Sequence, residues 1–172
     1  VTKEDAFLPV AFSLYFGLPT GATGKGKEGN LQTGDGEFNQ MVQVDIGKGF
    51  SITKSISGYA SAYTGFNHRT NGFSEEFRYG LELGAGFFNQ RFWLTTRLFG
   101  VESFKNGLTA ENISSTSIFA NNTEYTSFSL ETSVYLTKKF GLSLFYAGAF
   151  RGEIIAAAPS YSVGLFLDFS KE

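Results

Sequence analysis

Apolar and polar residues alternate with a period of two along most of this chain. In one segment Phe77, Tyr79, Leu81, Leu83, Ala85 and Phe87 form one set, and Glu76, Arg78, Gly80, Glu82, Gly84 and Gly86 form the other. A β-strand sends two such sets to opposite faces. Near the C-terminus, Tyr161, Val163, Leu165, Leu167 and Phe169 stand against Ser162, Gly164, Phe166 and Asp168. A helix would put Asp168 beside Leu165 and leave no clean apolar stripe, so the strand reading wins. The same alternation runs through Val10–Leu18, Phe38–Ile46 (Val42, Val44 and Ile46 against Met41, Gln43 and Asp45) and Phe128–Leu136 (Leu130 and Val134 against Glu131). It recurs from Leu142, where Leu144, Tyr146, Gly148 and Phe150 oppose Ser143, Phe145, Ala147 and Arg151.

Eight strands follow, at about 7–18, 37–47, 54–68, 75–88, 91–104, 123–137, 140–152 and 160–169. The third and fifth are less regular, and the slip in alternation before Glu102 marks Gly100 as a candidate bulge. Most are long against the ~5–6 residue mode of ordinary strands, and long enough for the ~9–11 tilted residues of a membrane strand. Short turns are expected near Gly47-Lys48-Gly49, Asn89-Gln90 and Thr137-Lys138-Lys139, and long polar loops near 19–36, 69–74, 105–122 and 153–159. Alternating short and long connections match an antiparallel transmembrane β-barrel, with an even strand count and both termini on the short-turn side. The whole chain, 1–172, reads as one all-β barrel domain. The opening Val1-Thr2-Lys3-Glu4-Asp5-Ala6-Phe7 is like the internal turn Leu136-Thr137-Lys138-Lys139-Phe140. Two readings stay open: a polar N-terminus before an eight-stranded barrel, or the tail of an earlier strand in a larger one.

Composition narrows the class. Aromatic residues make up 17% of the chain, with 21 Gly and 3 Pro, which suits sheets with tight turns and close backbone approaches. No apolar run is long enough for a transmembrane helix, and a mature outer-membrane chain would have lost its secretion signal. The net charge of −2 gives no basic surface for nucleic acid. With no Cys and a single His68, neither a Cys- or His-based metal centre nor a Ser-His-Asp triad can readily be assembled. No enzyme activity, metal or cofactor is expected.

A soluble barrel also alternates, but with its apolar face inward. Three features favour the membrane. The apolar face is almost free of charge, as lipid requires when one Lys or Arg at mid-depth costs ~2–4 kcal/mol. Aromatic residues gather at strand ends: Phe38, Phe66, Phe77, Tyr79 and Tyr161 at the long-loop end, and Phe50, Phe87, Phe92, Phe140 and Phe169 at the short-turn end. Such belts sit at headgroup level. The polar face mixes both signs, with Asp45, Arg69, Glu76, Arg78, Glu82, Arg97, Glu131, Arg151 and Asp168, whereas Lys falls mainly in turns and loops.

The last strand, Ser162-Val163-Gly164-Leu165-Phe166-Leu167-Asp168-Phe169, resembles the C-terminal assembly signal of outer-membrane β-barrels. That resemblance implies that Gly164, Leu167 and Phe169 are read by the barrel-assembly machinery during biogenesis. The tail Ser170-Lys171-Glu172 departs from it, since many such proteins end on the aromatic residue. More broadly, Leu14-Tyr15-Phe16-Gly17-Leu18-Pro19-Thr20-Gly21 and Leu31-Gln32-Thr33-Gly34-Asp35-Gly36-Glu37-Phe38 resemble the phenol meta-pathway transporter-like family of outer-membrane proteins. Members carry further strands before the Leu-Pro-Thr-Gly segment, which implies that this chain is the C-terminal part of a barrel of roughly ten or twelve strands.

Other motifs read as plain structure. Gly21-Ala22-Thr23-Gly24-Lys25-Gly26-Lys27-Glu28-Gly29 lacks P-loop spacing and reads as a loop. Thr33-Gly34-Asp35-Gly36-Glu37 offers too few spaced oxygens for Ca²⁺ and reads as a turn. Asn112-Ile113-Ser114 and Asn121-Asn122-Thr123 read as polar loop, and His68 as a rim residue. The inward charges Asp45, Glu76, Arg78, Glu82, Arg97, Glu131 and Arg151 are the lumen-lining candidates. They fit a charged constriction in a narrow passive pore for small solutes in a Gram-negative-type outer membrane. The alternative is a filled barrel, packed with paired charges and rings such as Tyr63, Trp93 and Phe145, acting as a non-conducting accessory subunit among other outer-membrane proteins.

Overall fold

The period-two segments become eight strands: β1 (Val10–Gly17), β2 (Asn39–Ser51), β3 (Ser57–Arg69), β4 (Glu76–Phe87), β5 (Phe92–Ser103), β6 (Glu124–Tyr135), β7 (Phe140–Glu153) and β8 (Ser160–Leu167). The computed structural model describes residues 7–21, 33–108, 120–154 and 158–169. The turn-like opening before Phe7, nearly all of the Gly21–Gly29 loop, Leu31-Gln32, Asn112-Ile113-Ser114 and the Ser170-Lys171-Glu172 tail lie outside them. No helix occurs among the described residues.

Each strand pairs antiparallel with its sequence neighbours, giving one sheet in the order β1 to β8. β1 and β8 are its two edges and do not pair with each other, so the sheet is not closed. All hairpin turns lie at one end, with the start of β1 and the end of β8; the longer connections lie at the other.

Three local expectations are corrected. Gly47-Lys48-Gly49 is not a turn; it lies inside β2, paired with Ser61, Ala60 and Tyr59. The turn is Ile52–Ile56, where Thr53 Oγ1 accepts the backbone N–H of Ser55 and of Ile56, and the N–H groups of Ile52 and Thr53 both reach the Ile56 carbonyl. A Thr-based turn needs no glycine, and the two glycines drew attention to the wrong place. Gly100 is not a bulge either, because it pairs in regular register with Tyr79 and Thr126. The bulge lies between β6 and β7, where Thr126 opposes Arg151 and Ser127 opposes Ala149, leaving Phe150 as the extra residue.

Burial is inverted relative to a water-soluble sheet. The buried set includes Gln43, Asn67, Arg69, Glu76, Thr95 and Ser129, whereas among the described residues only Val101 and Ala120 are buried and hydrophobic. The opposite face exposes Phe12 and Leu14 at 66% each, Leu81 and Leu83 at 44% each, and Leu165 at 70%. Register places these exposed residues together: Leu14 opposes Val42, Val42 opposes Phe66, and Phe66 opposes Phe77. The sheet thus shelters its polar face and presents its apolar one, the reverse of the usual rule.

Candidate functional site

The polar face organises its charges in layers. Nearest the long connections, the Nε–H of Arg69 donates to Glu37 Oε2 at 2.6 Å, and its Nη1 donates to Glu76 Oε1 at 2.7 Å. Arg78 Nη2 donates to Glu76 Oε2 at 2.8 Å, and Asp35 lies 4.0 Å from Arg69. Asn67, only 2% exposed, donates to Asn39 and to Glu76. Register explains the meeting, because Asn39 opposes Arg69 and Asn67 opposes Glu76. Burial pushes the Glu37 carboxyl above its ordinary value, against the opposing pull of the Arg69 hydrogen bond.

One layer down, Arg97 bridges two acids on neighbouring strands. It hydrogen-bonds Glu82 on β4 through Nε, and Glu131 on β6 through Nη1 at 2.8 Å. Tyr59 Oη donates to Glu82 at 2.6 Å. Asp45 stands apart on β2, accepting from Gln43 at 2.6 Å and Ser13 at 3.3 Å. At the turn end Tyr135 Oη donates to Asp168 at 2.7 Å.

Glycines create the space for rings on this face. A Cβ on Gly80 would overlap the Tyr63 ring, one on Gly84 the Tyr59 ring, one on Gly86 the Trp93 ring and one on Gly141 the Phe166 ring. Each ring therefore lies along the wall, over a neighbouring strand, instead of projecting away from it.

Of the sequence candidates, Asp45, Glu76, Arg78, Glu82, Arg97 and Glu131 share this face. Arg151 does not join them. The extra residue Phe150 shifts the alternation, so Arg151 opposes Thr126 on the apolar side and hydrogen-bonds Glu102 there. Glu124 lies 4.0 Å from Arg151, and Lys105 lies 3.4 Å from Glu124 and 3.5 Å from Glu153. Gly164 opposes Ser143 on the polar face, while Leu167 pairs with Phe140 at the turn end and is well exposed, as is Phe169. Asp35 and Glu37 turn towards Arg69, and no group of three or more acidic, His or Cys residues among the described residues could hold a metal ion.

Sequence reasoning missed one polar cluster. Ser74, fully buried between β3 and β4, donates its N–H to Asn121 Oδ1 at 2.9 Å and its hydroxyl to Asn122 Oδ1 at 2.5 Å. Gly107 N–H donates to Ser74 Oγ at 3.0 Å, so two separate connections are clasped together. His68 sits at the rim, 2.8 Å from Glu75; that hydrogen bond, with a second from Asn106, holds the Glu75 carboxyl below its ordinary value.

The chain matches no protein-family model, no curated protein and no solved structure.

Proposed function

We propose that this chain forms the wall of a transmembrane β-barrel in a Gram-negative-type outer membrane, and that small solutes pass passively along its polar face. The inverted burial carries this reading. Fully burying one Leu or Phe side chain is worth ~1.5–3 kcal/mol, and a whole face of them in water would be untenable. Lipid removes that cost and demands a surface with few charges, and the apolar face carries Lys48 towards the turns and the Arg151, Glu102 and Glu124 group by the long connections.

Lipid also demands closure. An unpaired backbone group costs several kcal/mol in hydrocarbon, so the free edges of β1 and β8 meet each other or further strands of a barrel of roughly ten or twelve. Ring contacts support an interfacial belt: Phe66 with Phe104, Phe77 with Tyr79, and Phe128 with Phe150 towards the long connections, and Phe87 with Phe92 at the turns. Gly164, Leu167 and Phe169 then serve as the signal for the assembly machinery.

One observation supports a wet interior. Ser57 Oγ, Asn67 Oδ1 and Ser129 Oγ are buried without a partner among the described residues, and all three belong to the polar face. Each costs ~1–3 kcal/mol unless solvated.

The second reading, a non-conducting accessory barrel, draws on the buried clasp of Ser74 with Asn121 and Asn122 and on the Glu37–Arg69–Glu76 network, which together crowd the long-loop end. Single-channel recording in planar bilayers separates the two. Stable conductance that changes in Arg97→Ala supports the pore. A folded, inserted and silent protein supports the accessory barrel.

A further inference from the structure

We infer that the polar face selects for cations, so that the solutes admitted are cationic or neutral and anions are turned away; the inference rests on the pore reading above. Each charged layer carries one more carboxylate than guanidinium. The layer by the long connections sets Asp35, Glu37 and Glu76 against Arg69 and Arg78. The middle layer sets Glu82 and Glu131 against Arg97 alone. Asp45 has Gln43 and Ser13 as its hydrogen-bond donors and no cation among its described partners.

No lysine offsets this excess on the strands' polar side. Lys48 lies on the apolar side of β2, bonded to the Phe7 carbonyl and ring, and Lys54, Lys138 and Lys139 fall in turns. The remaining strand cation, Arg151, has been moved to the apolar side by the bulge.

Unpartnered oxygens sit in two of these layers. Asn67 Oδ1, beside Glu76, and Ser129 Oγ, opposite Arg97, belong to side chains 2% and 1% exposed. An amide oxygen can only accept, so that of Asn67 suits a cation better than an anion, whereas the Ser129 hydroxyl can accept or donate and favours neither. Low-dielectric walls focus the field of the excess carboxylates into the space they enclose, and rings of Asp and Glu set cation preference in channels on this principle.

The test is the reversal potential of the full-length protein in planar bilayers under a tenfold KCl gradient at low ionic strength, where the Debye length is long. The expected result is a potential of the sign that marks potassium over chloride. Asp45→Asn, which keeps the side chain's volume, moves it towards zero, and so does Glu82→Gln with Glu131→Gln. Arg97→Gln moves it the other way. A conducting wild type with zero or chloride-signed potential overturns the selectivity and leaves the pore standing. A folded but silent protein overturns the pore reading and the selectivity with it.

Discussion

At the residue scale, position on one face or the other decides what a substitution does. Leu81 and Gly80 are neighbours in β4 with opposite requirements. Leu81→Arg places a charge in the centre of the apolar face, opposite Ala62 and Leu98, and is expected to destabilise the inserted protein by ~2–4 kcal/mol in urea unfolding from lipid vesicles. Gly80→Ala drives a methyl into the Tyr63 ring and is expected to cost ~1–3 kcal/mol, most of it recovered when Tyr63→Ala is added. The sequence placed Gly80, Gly84 and Gly86 on the polar face but gave no reason for their being glycine. That reason lies in Tyr63, Tyr59 and Trp93, which reach them only through the register of β3 and β5, and register is a non-local property. That Glu82, Arg97 and Glu131 share one face was legible for the simpler reason that alternation alone fixes a side chain's face.

At the scale of elements, the long periodic strands were legible and their irregularities were not. Val10–Gly17 and Ser160–Leu167 fall inside the expected segments, but the Thr53 turn and the Phe150 bulge escaped notice. A bulge leaves the composition of a strand unchanged and only resets its parity, so Arg151 read as a polar-face residue and lies on the apolar side. The consequence is testable in conductance: Arg151→Ala is expected to leave conductance and ion preference as in the wild type, whereas Arg97→Ala alters both. The clasp between connections is a second element-scale feature. Asn121→Ala leaves the buried Ser74 N–H without its acceptor, an expected cost of ~1–3 kcal/mol, with faster proteolysis of the β3–β4 and β5–β6 connections in intact vesicles. Asn121 and Asn122 read as loop composition in the sequence because their partner, Ser74, is 47 and 48 residues away.

At the scale of the whole molecule, one antiparallel sheet exposes an apolar side and shelters a polar one, which is the observation behind the proposal of a bilayer outside and water inside. In that proposal, strand number and closure depend on what the β1 and β8 edges pair with, which no local pattern encodes. The chain has no cysteine, so single cysteines can be introduced along β4 without background. The decisive measurement is a cysteine scan from Phe77 to Phe87 in the protein folded into lipid vesicles, each site carrying an environment-sensitive fluorophore challenged with a lipid-soluble and a water-soluble quencher. The account predicts a period of two: positions 77, 79, 81, 83 and 85 quenched from the lipid, and 78, 80, 82 and 84 from water. Water quenching of both sets, or a chain that folds in water without lipid, would contradict it.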